Sequence, residues 1–172
     1  GHADALNFIM GLNGRPFIVD PGTYLYTYKM EWREYFRGSH AHNVITVDNL
    51  SQSQSVAPFI WKRKAKTELI DWYTSAHFDY FRGKHDGFIR LPDPVTCERV
   101  VLFVKPGFFI IDDNLNARKL HNYQMRLHFA PDVSASIVDE IHVTAEDGDN
   151  NSMNLYFLQN NKDFSVSIRR GS

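Results

Sequence analysis

The fold is decided by Val95-Thr96-Cys97-Glu98-Arg99-Val100-Val101-Leu102-Phe103-Val104 and the residues that follow, Lys105-Pro106-Gly107-Phe108. The first run becomes almost continuously apolar towards its end, which is typical of a central strand in a sheet. Lys105-Pro106-Gly107 then indicates a turn, because proline and glycine favour turn conformations. The stretch therefore predicts a strand, a turn and a second strand, with Cys97, the single cysteine, as a small buried side chain.

Short β-type segments occur on both sides of this stretch. Asn13-Gly14 suits a tight hairpin turn and lies between the apolar segments 6–10 and 17–19. Only residues 30–37 resemble a helix, with room for about two turns. The other predicted strands cover residues 24–28, 44–47, 77–81, 108–112, 123–129, 137–144, 153–158 and 164–168, and a polar–apolar alternation covers 59–72. Many short strands separated by turns predict an all-β fold, an antiparallel sandwich or barrel, as one domain over residues 1–172.

The composition is that of a globular protein, since 43% of the 172 residues are hydrophobic and 23% are charged. With 19 basic and 20 acidic residues the net charge is −1, so neither a nucleic-acid surface nor a membrane-binding face is indicated. No apolar stretch approaches the roughly 20 residues that span a bilayer. Both ends of the sequence lie in polar segments, and we expect the chain to be a fragment of a larger protein.

Histidines and carboxylates are concentrated in the first quarter of the chain. His2, Asp20 and His42 lie beside three separate β-type segments and offer two nitrogens and one oxygen. Zinc sites with an open position commonly have three protein ligands of these types. Asp4 would share a strand face with His2, and it could orient a ligand imidazole by a hydrogen bond without binding the metal itself. The alternative is that these are ordinary polar residues at strand ends, since no HxxxH or CxxC spacing is present.

Trp32-Arg33-Glu34-Tyr35-Phe36-Arg37 combines two arginines with three aromatic side chains. An arginine can hold a carboxylate or a sulfate through paired hydrogen bonds, and aromatic faces can carry the apolar side of a ligand. An amphipathic helical turn packed on the sheets would explain the same pattern. Composition alone leaves both interpretations open.

Taken together, these segments resemble the heparinase II/III-like polysaccharide lyases. The clearest similarity is in Gly1-His2-Ala3-Asp4-Ala5-Leu6-Asn7-Phe8 and in Ala41-His42-Asn43-Val44-Ile45-Thr46-Val47-Asp48. Residues 14–24, 32–37, 98–102, 111–113 and 121–129 also fit the family. The resemblance spans roughly residues 1–131, and the first fifty residues are its most specific part.

The resemblance implies the carboxy-terminal antiparallel β-sandwich of an enzyme that also has an α/α toroid. Such lyases cleave uronic-acid polysaccharides, similar to heparin, heparan sulfate or alginate, by β-elimination. A base removes the C5 proton of the uronate while its carboxylate is neutralised, and a tyrosine assists the departing sugar. Stabilising the enolate-like charge is then a large part of the catalysis. The catalytic histidine would lie upstream of Gly1 and the tyrosine in the toroid, so no catalytic residue is assigned on this chain.

The resemblance also implies site residues and partners. A Zn²⁺ ion would be held by His2, Asp20 and His42, and Asp4 would orient one of the ligand imidazoles. The acidic polysaccharide would be contacted by four basic side chains, namely Arg15, Arg33, Arg37 and His40. The expected partners are that substrate and the toroid, without nucleic acid or membrane, in a periplasmic or secreted protein. A sandwich separated from its toroid also predicts a large exposed apolar patch, or self-association that covers it.

Two other classes of protein fit the same residues. One is a non-catalytic domain that binds acidic carbohydrate through the same arginines and aromatic side chains. The other is a structural β-domain in which the histidines only satisfy hydrogen bonds. An unsaturated uronate product would favour the lyase, and retention on an acidic polysaccharide without turnover would fit the binding domain.

Overall fold

The computed structural model describes residues 1–23, 29–57, 60–158 and 163–169. They form two compact units, each assembled from separated stretches of chain: residues 1–8 with 20–127, and residues 9–19 with the chain from 128 onward. The described strands pair antiparallel, and the predicted class, an all-β antiparallel β-sandwich, is confirmed. The assignment of residues 1–172 to a single domain stays a prediction.

The helix α1 spans Met30–Arg37, as predicted, and a short 3-10 helix, Ser39–Ala41, follows it. Neither is long and apolar enough to cross a bilayer, and the described residues contain no other helix. The strands in chain order are β1 (Met10–Leu12), β2 (Arg15–Ile18), β3 (Ile45–Val47), β4 (Gln54–Ala57), β5 (Ile60–Arg63), β6 (Thr67–Thr74), β7 (Phe78–His85), β8 (Thr96–Val104), β9 (Phe108–Asn116), β10 (Tyr123–Met125), β11 (Ser134–Ile137), β12 (His142–Glu146) and β13 (Ser152–Tyr156).

The largest sheet lies in the first unit and has the strand order β6-β7-β8-β9. Strand β8 pairs with β7 on one side and with β9 on the other, which confirms the predicted strand, turn and central position. Within the turn, the N–H of Gly107 donates to the carbonyl of Val104. Directly paired residues share a face of a sheet, so Arg99 lies on the same face as Gly83 and Asp113. Arg99 is buried on that face.

A small apolar core of the first unit confirms the expected environment of Cys97. Val47, Phe88 and Val95 are buried with Cys97, and partly buried leucines pack against them. Burial raises the pKa of the Cys97 thiol to about 12. The thiol therefore stays protonated and unreactive near neutral pH, as expected for a cysteine that only fills space.

His121 joins two loops of the first unit. Its Nδ1 lies 2.6 Å from Oδ2 of Asp48, and its Nε2 lies 3.0 Å from Oδ2 of Asp93. Hydrogen bonds to these two carboxylates raise the pKa of His121. Because the folded pKa is raised, the contribution of His121 to stability is complete below the pKa of an unfolded histidine, where the two carboxylates are still ionised, and is lost as the pH rises through the folded pKa.

The hairpin predicted at Asn13-Gly14 is confirmed in the second unit. Strand β1 pairs with β2, and the two turn residues have φ angles of 51° and 78°. Positive φ at both central positions is the requirement of a tight type I′ turn, which asparagine followed by glycine meets at low cost.

Other predicted strands differ from the structure. The single strand expected over residues 137–144 is wrong, because β11 ends at Ile137 and the N–H of Val138 donates to the carbonyl of His142 in a turn. No strand occurs over the described residues 163–169, so the strand expected at 164–168 is also wrong. The alternation over 59–72 divides into β5 and β6. The strand expected at 24–28 lies outside the described residues.

The outer strands of the four-stranded sheet, β6 and β9, carry exposed apolar side chains. Leu69 and Trp72 on β6 are each 60% exposed, and Phe108 on β9 is 54% exposed. These side chains are where the expected apolar patch would lie. A contiguous patch, or self-association that covers it, stays a prediction.

Acid should destabilise the protein through His85, which is 7% exposed and accepts a hydrogen bond at Nδ1 from the N–H of Gly87. Burial, and after it the charge of Arg99, lowers the pKa of His85 to about 4. Since the unfolded chain takes up this proton at about pH 6.5, the contribution of His85 to stability is complete above that pH and falls by about 3 kcal/mol as the pH approaches 4. Urea unfolding at neutral and acidic pH should show a larger acid loss for wild type than for His85→Gln, and equal losses would refute this role.

Candidate metal centre

Hydrogen bonds to Ala3 fix the amino-terminal segment that carries His2 and Asp4. The N–H of Ala3 donates to the carbonyl of Arg37 (2.8 Å), and the hydroxyl of Ser39 donates to the carbonyl of Ala3 (2.6 Å). Both Ala3 and Ser39 are buried, so water does not compete for these bonds. The two residues beside Ala3 are therefore held against the chain that leaves α1.

Three side chains meet beside this segment in a geometry that suits a metal ion. One ligand atom each from His2, Asp4 and His42 lies within 4.8 Å of the others. The ring centroids of the two histidines are 5.2 Å apart. His42 is fully buried, His2 is half-buried and Asp4 is exposed, so the cluster is open on the Asp4 side.

The two ring nitrogens of His42 have different environments. Nδ1 lies 2.7 Å from Oδ2 of Asp20, which as a carboxylate accepts the hydrogen bond, so Nδ1 carries the proton of the neutral ring. Nε2 is buried and has no hydrogen-bond partner among the described residues. A buried lone pair without a donor is rare in proteins and is explained by an unseen partner such as an ion. Two imidazole nitrogens and a carboxylate oxygen are ligands that zinc accepts, so the residues present fit the expected metal.

Asp20 is held by three hydrogen bonds. Its Oδ1 accepts from the N–H of Gly22 (2.8 Å), and its Oδ2 accepts from Nδ2 of Asn7 (2.7 Å) as well as from His42. Burial opposes ionisation of this carboxyl, but the bonds from Gly22 and His42 outweigh it and lower the pKa of Asp20. An ionised carboxylate on the far nitrogen of a ligand histidine fixes the tautomer and orientation of that ring.

The structure therefore places the two carboxylates differently from the expected arrangement. Asp4, which was expected to orient a ligand without binding the metal, lies in the cluster with His2 and His42. Asp20, expected as a ligand, lies on the Nδ1 side of His42. Which carboxylate completes the site stays a prediction.

His2 is suited to donate a lone pair near neutral pH. Partial burial, and after it the proximity of His42, lowers the pKa of His2, so its ring is neutral at pH values where a free histidine is partly protonated. Its Nε2 lies 2.9 Å from the hydroxyl of Thr23. This contact orients the ring from the chain segment that also carries Asp20.

Sequence reasoning missed two asparagines that hold the site together. The N–H of Asn43 donates to Oδ1 of Asn7 (2.8 Å), and Nδ2 of Asn43 donates to the carbonyl of Phe8 (2.9 Å). Asn7 thereby connects Asp20 to the residue after His42. The signal was present, because Asn7 is a polar residue inside the apolar run Leu6-Asn7-Phe8-Ile9, where a buried hydrogen-bonding role is the usual reason.

Arg33, Arg37 and His40, three of the four basic side chains expected to contact the substrate, lie in the first unit. The two arginines are the buried residues of α1. Arg37 donates to Oε1 of Glu34 (2.9 Å) and lies 4.1 Å from the ring centroid of Trp61. Arg33 is 9% exposed. His40 is half-buried, with Nε2 2.9 Å from Oδ1 of Asn49.

Arg15, the fourth of these side chains, lies in the second unit among acidic groups. Its guanidinium is 3.0 Å from Asp149, 3.4 Å from Asp132 and 4.0 Å from Asp147. Three nearby carboxylates offset its charge, which weakens the attraction of Arg15 for an anion.

A pocket of about 220 Å³ in the first unit contains one of the expected substrate contacts. Arg37, Glu34, Trp61 and Arg90 are among the residues that line it. Arg90 donates to the backbone carbonyls of Ser51, Gln52 and Gly87. The volume is below the roughly 300–1,000 Å³ of sites for larger ligands, so it suits one small group.

Comparison with known proteins identifies the family. The model of the family described as heparinase II/III-like, C-terminal, matches residues 1–171. The chain belongs to this family. The resemblance seen in the sequence is thereby confirmed, and no curated relative matches the chain significantly.

Two solved structures share the fold of this heparinase II/III-like domain. They are heparan sulfate lyase HepC from Pedobacter heparinus, with a TM-score of 0.75, and a mutant of the same enzyme, with a TM-score of 0.74. Each is 21% identical to the chain over 94% of its residues. The chain covers 24% of those proteins, so it spans about a quarter of their length.

Proposed function

We propose that this chain is the β-sandwich part of a polysaccharide lyase that cleaves uronic-acid polysaccharides, similar to heparan sulfate or alginate, by β-elimination. The observation that carries the proposal is the family match over residues 1–171. In this proposal the proton-transfer groups come from an α/α toroid and from residues upstream of Gly1. The family match also favours an enzyme that is periplasmic or secreted, because it would encounter such polysaccharides there.

We further propose that the candidate metal centre binds Zn²⁺ through His42 Nε2, His2 and Asp4. The buried Nε2 of His42 supports this, because it otherwise has no partner in the described structure. Bound zinc would supply a fixed positive charge that joins the amino-terminal segment to the chain after α1. Asp20 orients His42 through Nδ1, and the lowered pKa of His2 favours the neutral form of that ring.

The pocket at Arg37 is the proposed contact for one acidic group of the polysaccharide. Arg37 and Arg90 bring two positive charges to it, and Glu34 brings one negative charge. The guanidinium of Arg90 meets backbone carbonyls rather than a carboxylate, so its charge is not offset within the pocket. A uronate carboxylate or a sulfate matches this excess charge.

The second candidate function is a domain that binds acidic carbohydrate without cleaving it. The same pocket favours it, because recognition of an anion needs the arginines and not the proton-transfer groups. The two functions differ in their products, since only the lyase leaves an unsaturated uronate.

The full-length protein that contains this chain should release an unsaturated uronate from heparan sulfate or alginate. The product is followed by its ultraviolet absorbance, and a neutral polysaccharide serves as the control because it has no uronate to eliminate. Binding of acidic polysaccharide with no rise in absorbance for any of them would favour the binding domain instead.

Metal content should depend on the cluster and not on nearby histidines. After exposure to Zn²⁺ and removal of free metal, elemental analysis of wild type should find about one ion per chain, and His2→Ala should lose most of it because half of the imidazole ligands are gone. His40→Ala is the matched control and should keep the metal. Asp4→Asn should bind less metal than Asp20→Asn, and the reverse order would favour Asp20 as the ligand.

Removal of the Arg37 charge should weaken retention on immobilised heparin on the order of tenfold, because a hydrogen-bonded ion pair with the ligand is lost. Arg82→Gln is the control for Arg37→Gln, since Arg82 is an exposed arginine paired with Glu98 and its loss changes the net charge equally. Circular dichroism should show both variants folded. Identical elution of the two variants would exclude a specific contact at Arg37.

A further inference from the structure

We propose that Arg99 is a positioning residue for the candidate metal centre. Its guanidinium holds, through two backbone carbonyls, the segment that carries His2 and Asp4 and the segment that carries His42. The inference rests on the metal centre proposed above and adds to it the group that sets the distance between its two halves.

The contacts of one nitrogen carry the inference. Nη1 of Arg99 donates to the carbonyl of Leu6 (2.7 Å) and to the carbonyl of Asn43 (2.9 Å). Leu6 follows Asp4 by two residues, and Asn43 follows His42 directly. A single NH₂ group therefore lies between the two segments and fixes how far apart their backbones are.

The opposite side of Arg99 is anchored in the sheet. Nε donates to Oδ1 of Asp113 (2.7 Å) and Nη2 donates to Oδ2 of the same carboxylate (2.9 Å). Nη2 also lies 3.5 Å from the sulfur of Met125. All five N–H groups of the guanidinium thus have an acceptor, and Arg99 is 2% exposed. The positions of both segments are consequently set by paired strands β8 and β9 rather than by surface loops.

The backbone at Leu6 shows that this contact holds an unfavourable conformation. Leu6 has φ 62°, in the left-handed region that residues with a Cβ rarely adopt. Such a conformation persists where surrounding contacts determine it, and here the carbonyl of Leu6 is bound by Arg99. Gly83, the residue of β7 that pairs with Arg99, leaves room for the side chain of Leu6. A Cβ on Gly83 would lie only 3.0 Å from a methyl group of Leu6, which is closer than such atoms normally approach.

Arg99→Lys tests the role with a variant that keeps the charge. A lysine is a point charge that cannot make the paired bonds to Asp113 and reach both carbonyls in the same geometry. Co²⁺ replaces Zn²⁺ as the probe, because its visible absorption reports both affinity and ligand geometry. We expect Co²⁺ to bind Arg99→Lys roughly 10–100-fold more weakly than wild type, with an altered spectrum, as for other groups that orient metal ligands.

Arg82→Lys is the matched control, because Arg82 makes the same paired contact with Glu98 on the exposed face of strands β7 and β8 (2.7 and 3.2 Å). It should bind Co²⁺ like wild type. If Arg99→Lys does not fold by circular dichroism, Asp113→Asn is compared with Glu98→Gln in the same way. A folded Arg99 or Asp113 variant with wild-type Co²⁺ affinity and spectrum would overturn the inference. Absence of Co²⁺ binding by wild type would instead remove the metal centre, and the role of Arg99 with it.

Discussion

The positive charge of Arg99, enclosed in the first unit, determines which backbone segments must come together there. Removing a guanidinium from water costs several kcal/mol unless an opposite charge and enough acceptors replace the solvent. Asp113 supplies the charge and two acceptors, and the carbonyls of Leu6 and Asn43 supply two more. The folded state therefore keeps Arg99 without a large penalty only when the amino-terminal segment and the segment after His42 both reach it. The contact thus brings together the two segments that carry the residues of the candidate centre.

The candidate centre has one rigid side and one open side. His42 is fully buried, and its orientation follows from Asp20, which is itself held by Asn7 and Gly22. Asp4, in contrast, is exposed. A metal ion or a water molecule can therefore approach from the side of Asp4, while the buried imidazole is already oriented. Preorganisation of the buried ligand reduces the ordering cost that binding would otherwise pay.

Much of the sheet was predictable, because turn chemistry and apolar runs act locally. Lys105-Pro106-Gly107 and Asn13-Gly14 each predict a turn. The strands on either side of each turn pair with each other, β8 with β9 and β1 with β2. Counting outward from the first turn also pairs Arg99 with Asp113, so the ion pair was within reach of the sequence. The turn that interrupts residues 137–144 was missed although Asp139 favours turns, and its Oδ1 accepts a hydrogen bond there from the N–H of Ile141.

The site was predictable in residue types but not in the positions of its two carboxylates. His2 and His42 come together as expected from the family resemblance. The difference between Asp4 and Asp20 depends on which of them meets Nδ1 of His42, and on an asparagine thirteen residues before Asp20. Such contacts between distant segments have no periodic signal in a sequence. The acidic surroundings of Arg15 were hidden for the same reason, since Asp132, Asp147 and Asp149 are more than a hundred residues away along the chain.

The proposed reaction, β-elimination, needs groups that the candidate centre does not offer. A base must offer a free lone pair to the C5 proton, and an acid must protonate the departing oxygen. In the proposed centre, His2, Asp4 and His42 each offer a ligand atom, and these atoms lie within 4.8 Å of one another. A lone pair that holds a metal ion is not available to take a proton, so these residues are unsuited to act as the base. Among the described residues that line the basic pocket at Arg37 and Arg90, Glu34 is the one carboxylate, and it is hydrogen-bonded to Arg37 and Ser55. In the proposed lyase this chain would bind the acidic polysaccharide and hold the metal centre, and residues of the toroid and upstream of Gly1 would transfer the protons.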